Sequence, residues 1–210
     1  MSRTAAGFTL IEVLLATALL AAGLSLAFVT VRSAMTISQR GEAMAADNER
    51  MRAVQGLLRR QLGQAMQSPI EPLDPSREPL NFVGEPQRVR FVADVPGYLG
   101  RGGPYVHDLQ VVRSGQGVRL QLGLVMVQNG VQIVERPARA PEPLADGLKK
   151  VTLRYRGRDP VSGELTDWLT TWPDTRRPPS LVAVQVQPLR GPAWPELRVA
   201  VESAGAGRMR

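Results

Sequence analysis

Apolar and polar positions divide the chain into an apolar N-terminal stretch, a helical stretch of mixed polarity and a long region of alternating residues. From Phe8 to Val31 nearly every residue is apolar, and Glu12 is the only charged one. At a rise of about 1.5 Å per residue, this stretch forms a helix of roughly 36 Å, which exceeds a hydrocarbon layer of about 30 Å. Its thirteen Leu, Ile, Val and Phe side chains offset the cost of one carboxylate near its end. The pattern therefore predicts a transmembrane helix over residues 8–31.

Residues 32–68 keep their helical character but become polar. The stretch contains no proline and is rich in Ala, Met, Leu, Gln, Glu and Arg, which are good helix formers. Apolar residues recur every three or four positions, which predicts an amphipathic helix that ends before Pro69. The apolar stripe spans only about two heptads, so packing against the chain's own sheet is favoured over a coiled coil. The stripe consists of Met51, Val54, Leu58, Leu62 and Ala65, and the opposite face carries Arg52, Arg59, Arg60 and Gln64.

Beyond the prolines that follow, the apolar period becomes two, which is typical of half-buried strands. Asn129-Gly130 separates two of these alternating runs and favours a type I′ hairpin turn. The proline-rich residues 137–143 indicate a break between two sub-sheets, and residues 203–210 are expected to be a flexible tail. Residues 69–202 are therefore expected to form a β-rich head. Its predicted strands cover residues 88–95, 105–113, 118–127, 131–136, 148–156, 181–187 and 197–201.

Composition narrows the possible classes of function. The chain has a formal net charge of +7, but its arginines are scattered singly among strand-like apolar residues. This distribution is typical of the solvent faces of strands, so nucleic-acid binding is not expected. Cysteine is absent, which excludes thiol catalysis, disulfide bonds and thiolate metal sites. The stability of the head must therefore come from its core.

Candidate catalytic and metal-binding residues are few. His107 is the only histidine, Asp108 is too close to it in sequence for the usual Ser-His-Asp arrangement, and no nucleophile motif is present. We therefore expect no enzymatic activity, no cofactor and no metal centre. Asp159, Glu164 and Asp167 lie in one turn-rich segment, where calcium binding stays an open alternative to a solvated loop. The glycine-rich residues 96–104 match neither common phosphate-binding fingerprint, and a surface loop is expected there.

The residues before the apolar stretch point to processing that leaves the helix in place. Residues 1–7 form a short leader with one cation, and a cut between Gly7 and Phe8 would precede the apolar stretch, unlike the cut of a secretory signal peptide. Such a cut would create an amino group on Phe8, close to Glu12. A carboxylate within a membrane segment is costly and is usually retained for a partner, although near a helix start it can also reach the interface.

The six residues from Gly7 to Glu12, with the apolar stretch behind them, resemble the prepilin-type cleavage and N-methylation motif of type IV pilins and type II secretion pseudopilins. The resemblance implies cleavage after Gly7 by a prepilin peptidase, N-methylation of Phe8, and a contact of Glu12 with a neighbouring subunit's N-terminus during assembly. It also implies an α+β, type IV pilin-like fold. In that fold a long N-terminal helix, first transmembrane and then amphipathic, packs on an antiparallel β-sheet head of two sub-sheets.

The second half of the chain has a distinctive layout of strands and tryptophans: a hairpin with Gly130, LADGLKKVTLRY at Leu144–Tyr155, the tryptophan-bearing Trp168–Trp172, and PPSLVAVQVQ at Pro178–Gln187. This layout resembles that of one pseudopilin family, the minor pseudopilins J of type II secretion systems. The resemblance implies a single-pass inner-membrane protein with a periplasmic head, which helps to initiate or cap the pseudopilus that drives protein export. The implied partners are the minor pseudopilins I and K, and then H and the major pseudopilin G. The alternatives are a minor pilin of a type IV pilus or DNA-uptake machine, and a signal-anchored periplasmic binding or enzymatic domain.

Overall fold

The computed structural model describes residues 7, 9–73, 76, 78–95, 102–128, 131–133, 139–159 and 162–201. The chain divides into two compact units, Met1–Glu49 and Arg50–Arg210. Helix α1 begins in the first unit and ends in the second, and every strand of the described residues belongs to the second. The elements in chain order are α1 (Leu10–Gly63), β1 (Phe82–Glu85), β2 (Arg88–Val95), β3 (Gly103–Ser114), β4 (Gly117–Gln128), β5 (Val131–Ile133), β6 (Glu142–Arg156), β7 (Leu181–Pro188) and β8 (Leu197–Ala200).

In the first unit, α1 is a continuous helix that contains the predicted apolar stretch from Leu10 to Val31. Every described side chain of this unit is exposed, because none of its apolar residues packs against another element. The predicted leader lies outside the described residues except for Gly7, and Phe8 lies outside them as well. The first unit therefore offers an apolar surface with no partner among the described residues.

The second unit begins with the last turns of α1, which pack on the sheet through one face. Val54, Leu58 and Leu62 on this face are buried, which confirms the predicted apolar stripe. The helix ends at Gly63, before the predicted end at residue 68. It ends there because the backbone N–H of Met66 donates to the carbonyl oxygen of Val92 at 2.8 Å and thereby joins the chain to strand β2.

The eight strands form one antiparallel sheet in the order β1-β2-β3-β4-β6-β7-β8, with β5 paired to part of β4. A long N-terminal helix with an antiparallel head confirms the predicted α+β, pilin-like architecture. The expectation of two sub-sheets is corrected, because β4 pairs with β3 on one side and with both β5 and β6 on the other. Strand β6 begins at Glu142, inside the proline-rich segment, and its register with β4 shifts between Val118 and Gln121.

The predicted strands are confirmed at β2, β3, β4, β7 and β8, with small shifts at their ends. Strand β6 begins earlier than predicted, and the short β1 was not predicted. Asn129-Gly130 lies outside the described residues, although Gln128 pairs with Val131 as a two-residue hairpin requires. Most of the predicted glycine-rich loop and the predicted tail also lie outside the described residues.

Two apolar clusters hold the second unit together. The larger one lies between the last turns of α1 and one face of the sheet, and its largest fully buried side chains include Tyr155, Phe82 and Phe91. The smaller one lies on the other face, where Ile70 covers Val92 and its neighbours. Successive strand residues point to opposite faces, which explains why Phe91 and Val92 belong to different clusters.

Residues 172–175 connect the first strand to the later part of the sheet. The backbone N–H of Trp172 donates to the carbonyl oxygen of Gly84 at 2.8 Å. The hydroxyl of Tyr155 donates to the backbone carbonyl oxygen of Glu85 at 2.7 Å. A Cβ at position 84 would lie 2.9 Å from the Tyr155 ring and from the Cβ of Trp172. The close packing between β1 and these aromatic residues therefore requires glycine at position 84.

Candidate anchor and assembly site

The predicted cleavage and assembly residues lie at the start of α1. The backbone N–H groups of Glu12 and Val13 donate to the carbonyl oxygen of Thr9, at 3.1 and 3.3 Å, and this places Glu12 in the first helical turn. A carboxylate in the first turn is stabilised by the partial positive charge of the helix N-terminus. Gly7 is exposed, with open space where a Cβ would lie, and Phe8 lies outside the described residues.

The Glu12 side chain has no partner among the described residues, whereas three hydroxyl side chains of the apolar stretch have one within the helix. The hydroxyls of Thr17, Ser25 and Thr30 donate to backbone carbonyls of the preceding turn, at 3.0, 2.8 and 2.8 Å. These groups are therefore satisfied within the helix and can enter hydrocarbon at low cost. No hydrogen bond or ion pair joins the Glu12 carboxylate to a described residue.

The apolar side chains around Glu12 are exposed to a degree that is unusual for a water-soluble surface. Leu10 is 81% exposed, Leu20 64% and Phe28 67%. Contiguous exposed apolar surface of this kind indicates contact with lipid or with other apolar helices. By length and composition, α1 is the one helix among the described residues that is suited to cross a membrane.

His107 is a core residue in strand β3. Its side chain is 1% exposed, its ring stacks on Phe91 with the centroids 5.0 Å apart, and its Nδ1 lies 3.0 Å from the carbonyl oxygen of Tyr105. Burial lowers the pKa of His107 to about 4, against a smaller opposing effect of the Tyr105 bond. A neutral histidine in an apolar core has a structural role.

Asp108 does not orient His107, because consecutive strand residues point to opposite faces. Its carboxylate accepts two hydrogen bonds from the Arg88 guanidinium, at 2.8 and 2.7 Å, and one from Gln110 at 2.8 Å. Partial burial alone would raise the pKa of Asp108, but these hydrogen bonds outweigh it and lower the pKa. The arrangement is a polar network on the sheet surface and does not form a catalytic triad.

The acidic residues of the turn-rich segment near residue 160 do not form a cation site. The Asp159 Oδ1 accepts hydrogen bonds from the backbone N–H and the hydroxyl of Ser162, at 2.8 and 3.3 Å. Glu164 and Asp167 are exposed. Across the described ranges, no three His, Cys, Asp or Glu side chains are placed to hold a metal ion. The alternative of calcium binding at these carboxylates therefore gains no support.

A surface cluster of arginine and tryptophan was missed by the sequence reasoning. The guanidinium carbons of Arg154 and Arg198 lie 5.4 and 5.9 Å from the Trp168 ring centroid, and Glu196 pairs with both arginines. Hydrogen bonding from Arg198 is the largest contribution that lowers the pKa of Glu196. Both arginines are cross-strand neighbours of Ala183, a register that sequence spacing alone does not reveal.

Comparison with known proteins agrees with the geometry of the N-terminus. Residues 2–28 match the prokaryotic N-terminal methylation motif, so Gly7, Phe8 and Glu12 lie within the matched segment. The whole chain is similar to type II secretion system protein J of Xanthomonas campestris pv. campestris. The two are 52% identical over 207 residues, which cover 99% of this chain and 98% of that protein. The chain therefore belongs to the family of type II secretion system protein J.

Proposed function

We propose that this chain is a minor pseudopilin in the tip complex that initiates or caps the periplasmic pseudopilus of a type II secretion system. The observation that carries the proposal is the Glu12 carboxylate, which has no partner among the described residues and lies in an apolar helix within a matched methylation motif. The similarity to protein J along nearly the full chain supports the same role. The role is structural, and the described head contributes surfaces for assembly.

Residues 1–7 act as the leader, and residues 8–31 anchor the protein in the inner membrane with the head in the periplasm. Prepilin peptidase cleaves between Gly7 and Phe8, and the new N-terminus on Phe8 is methylated. Cleavage before the apolar stretch leaves the anchor on the mature protein, unlike cleavage of a secretory signal. Exposure of the described part of the apolar stretch supports this, because the stretch needs hydrocarbon or apolar helices around it.

In assembly, the Glu12 carboxylate pairs with the methylated amine of a neighbouring subunit. A shallow depression lined by Glu12, Ala16, Thr17 and Leu20 is open on the helix surface, which supports an approach by another helix. At 4 Å the attraction between two unit charges is about 4 kcal/mol for an effective dielectric of 20, compared with about 1 kcal/mol in water. The filament interior excludes water, so the pairing is stronger there than it would be between the same two charges in water.

The partners are the minor pseudopilins I and K, followed by H and the major pseudopilin G. The similarity to protein J supports a place among the other pseudopilins of the secretion system. Each partner brings an apolar helix that replaces the lipid around α1, and a head that meets the second unit of this chain.

The assembly role is tested by replacing Glu12 with alanine. Glu12→Ala is expected to abolish secretion and co-purification with I and K, while membrane insertion is kept because the segment becomes more apolar. Thr30→Ala is the matched control, because the Thr30 hydroxyl has a partner within the helix and lies outside the depression around Glu12. Normal secretion and co-purification in Glu12→Ala would refute the role of the carboxylate.

Processing is tested by mass spectrometry of the N-terminus. We expect the wild-type protein to start at methylated Phe8, and Gly7→Ala to accumulate as the precursor with residues 1–7 attached. A mature protein that retains Met1 or Ser2 would instead support a signal-anchored domain. Normal maturation of Gly7→Ala would remove the assignment of the cleavage site.

A further inference from the structure

The last turns of α1 present a basic face that the head does not use. Val54, Leu58 and Leu62 face the core, and Arg52, Arg59 and Arg60 are exposed on the other side of the helix. Arg52 and Arg59 are separated by seven residues, which is close to two helical turns, so their side chains lie along one line. These three arginines are called the basic face below.

The basic face has no counter-charge within the described part of the chain. No ion pair joins Arg52, Arg59 or Arg60 to any described carboxylate, and residues 50–63 contain no Asp or Glu. A nearby carboxylate is already engaged, because Glu196 pairs with two arginines of the sheet. Four sheet arginines, Arg88, Arg90, Arg119 and Arg154, have an acidic partner, whereas the exposed Arg113 of β3 shares the lack of an ion pair but stands alone.

The backbone between these arginines is accessible. Gly56 lies between Arg52 and Arg60 on the exposed side, and a Cβ built there would approach nothing within 4 Å except the Arg60 Nη1, at 3.5 Å. Glycine in a helix interior costs roughly 0.5–1 kcal/mol relative to alanine. The fold of the head does not require that cost, because Gly56 is half-buried and a Cβ there would make only an ordinary contact with Arg60.

We propose that the basic face binds carboxylates on a helix of an adjacent pseudopilin, which approaches closely at Gly56. This inference rests on the proposed function, since it takes the neighbours of the chain to be other subunits of the filament. Charge complementarity supports such an occupant: α1 of this chain itself carries Glu42, Asp47 and Glu49, with no cation from residue 41 to 49. In this proposal the neighbouring subunit's helix carries carboxylates in the same way, and guanidinium groups bind carboxylates with two parallel hydrogen bonds.

The test uses the full-length chain, co-expressed in the membrane with I and K and purified in detergent. Arg52→Glu combined with Arg59→Glu is expected to reduce the amount of co-purified I and K by about tenfold or more, because like charges then oppose each other. The matched control is Arg113→Glu combined with Arg190→Glu, which changes net charge equally at exposed arginines outside the basic face. The control is expected to co-purify with I and K as wild type does.

Two further variants separate the basic face from a general loss of folding. Arg52→Lys combined with Arg59→Lys is expected to retain part of the co-purification, because charge remains but two-point hydrogen bonding is lost. Gly56→Leu is expected to reduce co-purification while the thermal melting of the chain stays at or above that of wild type, because helix propensity improves. High salt is expected to weaken the wild-type complex.

The outcomes distinguish this inference from the proposed function. If wild type fails to co-purify with I and K, the proposed function fails. If wild type binds and the Arg→Glu pair binds equally well, or the control pair loses binding to the same extent, the basic face is not the docking surface. If the Arg→Glu pair still co-purifies with I and K but no longer binds vesicles of anionic lipid or DNA, the arginines bind phosphate groups. That result would overturn the inference.

Discussion

Acidification is expected to destabilise the head through one side chain, His107. The imidazole is buried against Phe91, and its pKa falls to about 4 from an ordinary value of 6.5. The unfolded chain therefore binds a proton between these two pH values and the folded chain does not. Because the unfolded state binds more protons, the free energy of unfolding decreases as pH falls through this window. Below pH 4 both states are protonated and this contribution stays constant.

The magnitude follows from the same two pKa values. Across the whole window between the two pKa values, protonation of the unfolded imidazole lowers the free energy of unfolding by roughly 3 kcal/mol. Between pH 7.5 and pH 5.0 the expected loss is about 2 kcal/mol, since the folded imidazole is still mostly neutral at pH 5.0. The depressed pKa values of Asp108 and Glu196 add little in this range, because their stabilisation is lost only below their ordinary values of 3.8 and 4.5.

The assay is urea unfolding of the detergent-solubilised full chain, followed by tryptophan fluorescence. All three tryptophans, Trp168, Trp172 and Trp194, lie in the second unit, so the signal reports on the head. His107→Phe is the control, because it keeps an aromatic ring on Phe91 and removes the titration. The control is expected to be less stable at every pH, by about 1 kcal/mol for the lost hydrogen bond, but with little change from pH 7.5 to 5.0. An equal pH dependence in both proteins would refute the assignment to His107.

The remaining predictions concern stability at constant pH, measured by the same urea unfolding. Gly84→Ala is expected to lower the free energy of unfolding by about 1–3 kcal/mol, because the new Cβ meets the Tyr155 ring and Trp172 at 2.9 Å; an unchanged midpoint would contradict the close packing. Tyr155→Phe is expected to cost about 1–2 kcal/mol by leaving the Glu85 carbonyl without its hydroxyl donor, and a neutral effect would show that water replaces the bond. Gly56→Ala is expected to gain roughly 0.5–1 kcal/mol, and a loss would mean that the helix surface there is more crowded than the structure indicates.

Helical periodicity predicted the buried face of α1 because burial there depends only on local geometry. Val54, Leu58 and Leu62 share a face in any regular helix, whatever covers it. Strand β1 was not predicted, because Phe82–Glu85 is short, contains a glycine and becomes a strand through contacts with residues far along the chain. The proline-rich segment suggested a break between sheets, yet β6 starts within it and pairs irregularly with β4.

Some features of the candidate site follow from the local sequence, and others depend on contacts between distant residues. Glu12 is recognisable from sequence because a lone charge in an apolar stretch carries its own signal, and its position in the first helical turn follows from the helix start at Leu10. The polar network of Arg88, Asp108 and Gln110 depends on strand register, which the alternation of apolar residues does not specify between neighbours. In the proposed assembly the partner of Glu12 belongs to another chain, so no pattern within this one would identify it.

The bonds from residues 172–175 to β1 have a consequence for how the protein matures. Phe82 donates its backbone N–H to the Thr175 carbonyl, and Gln55 binds Pro195 from a distance of 140 residues along the chain. Such non-local contacts form late and slow folding. A nascent chain that emerges N-terminus first therefore lacks the groups that complete its earliest strand until nearly all of it has been synthesised. Anchoring in the bilayer precedes a finished head, and the interval between the two is when chaperones and proteases have access to the protein.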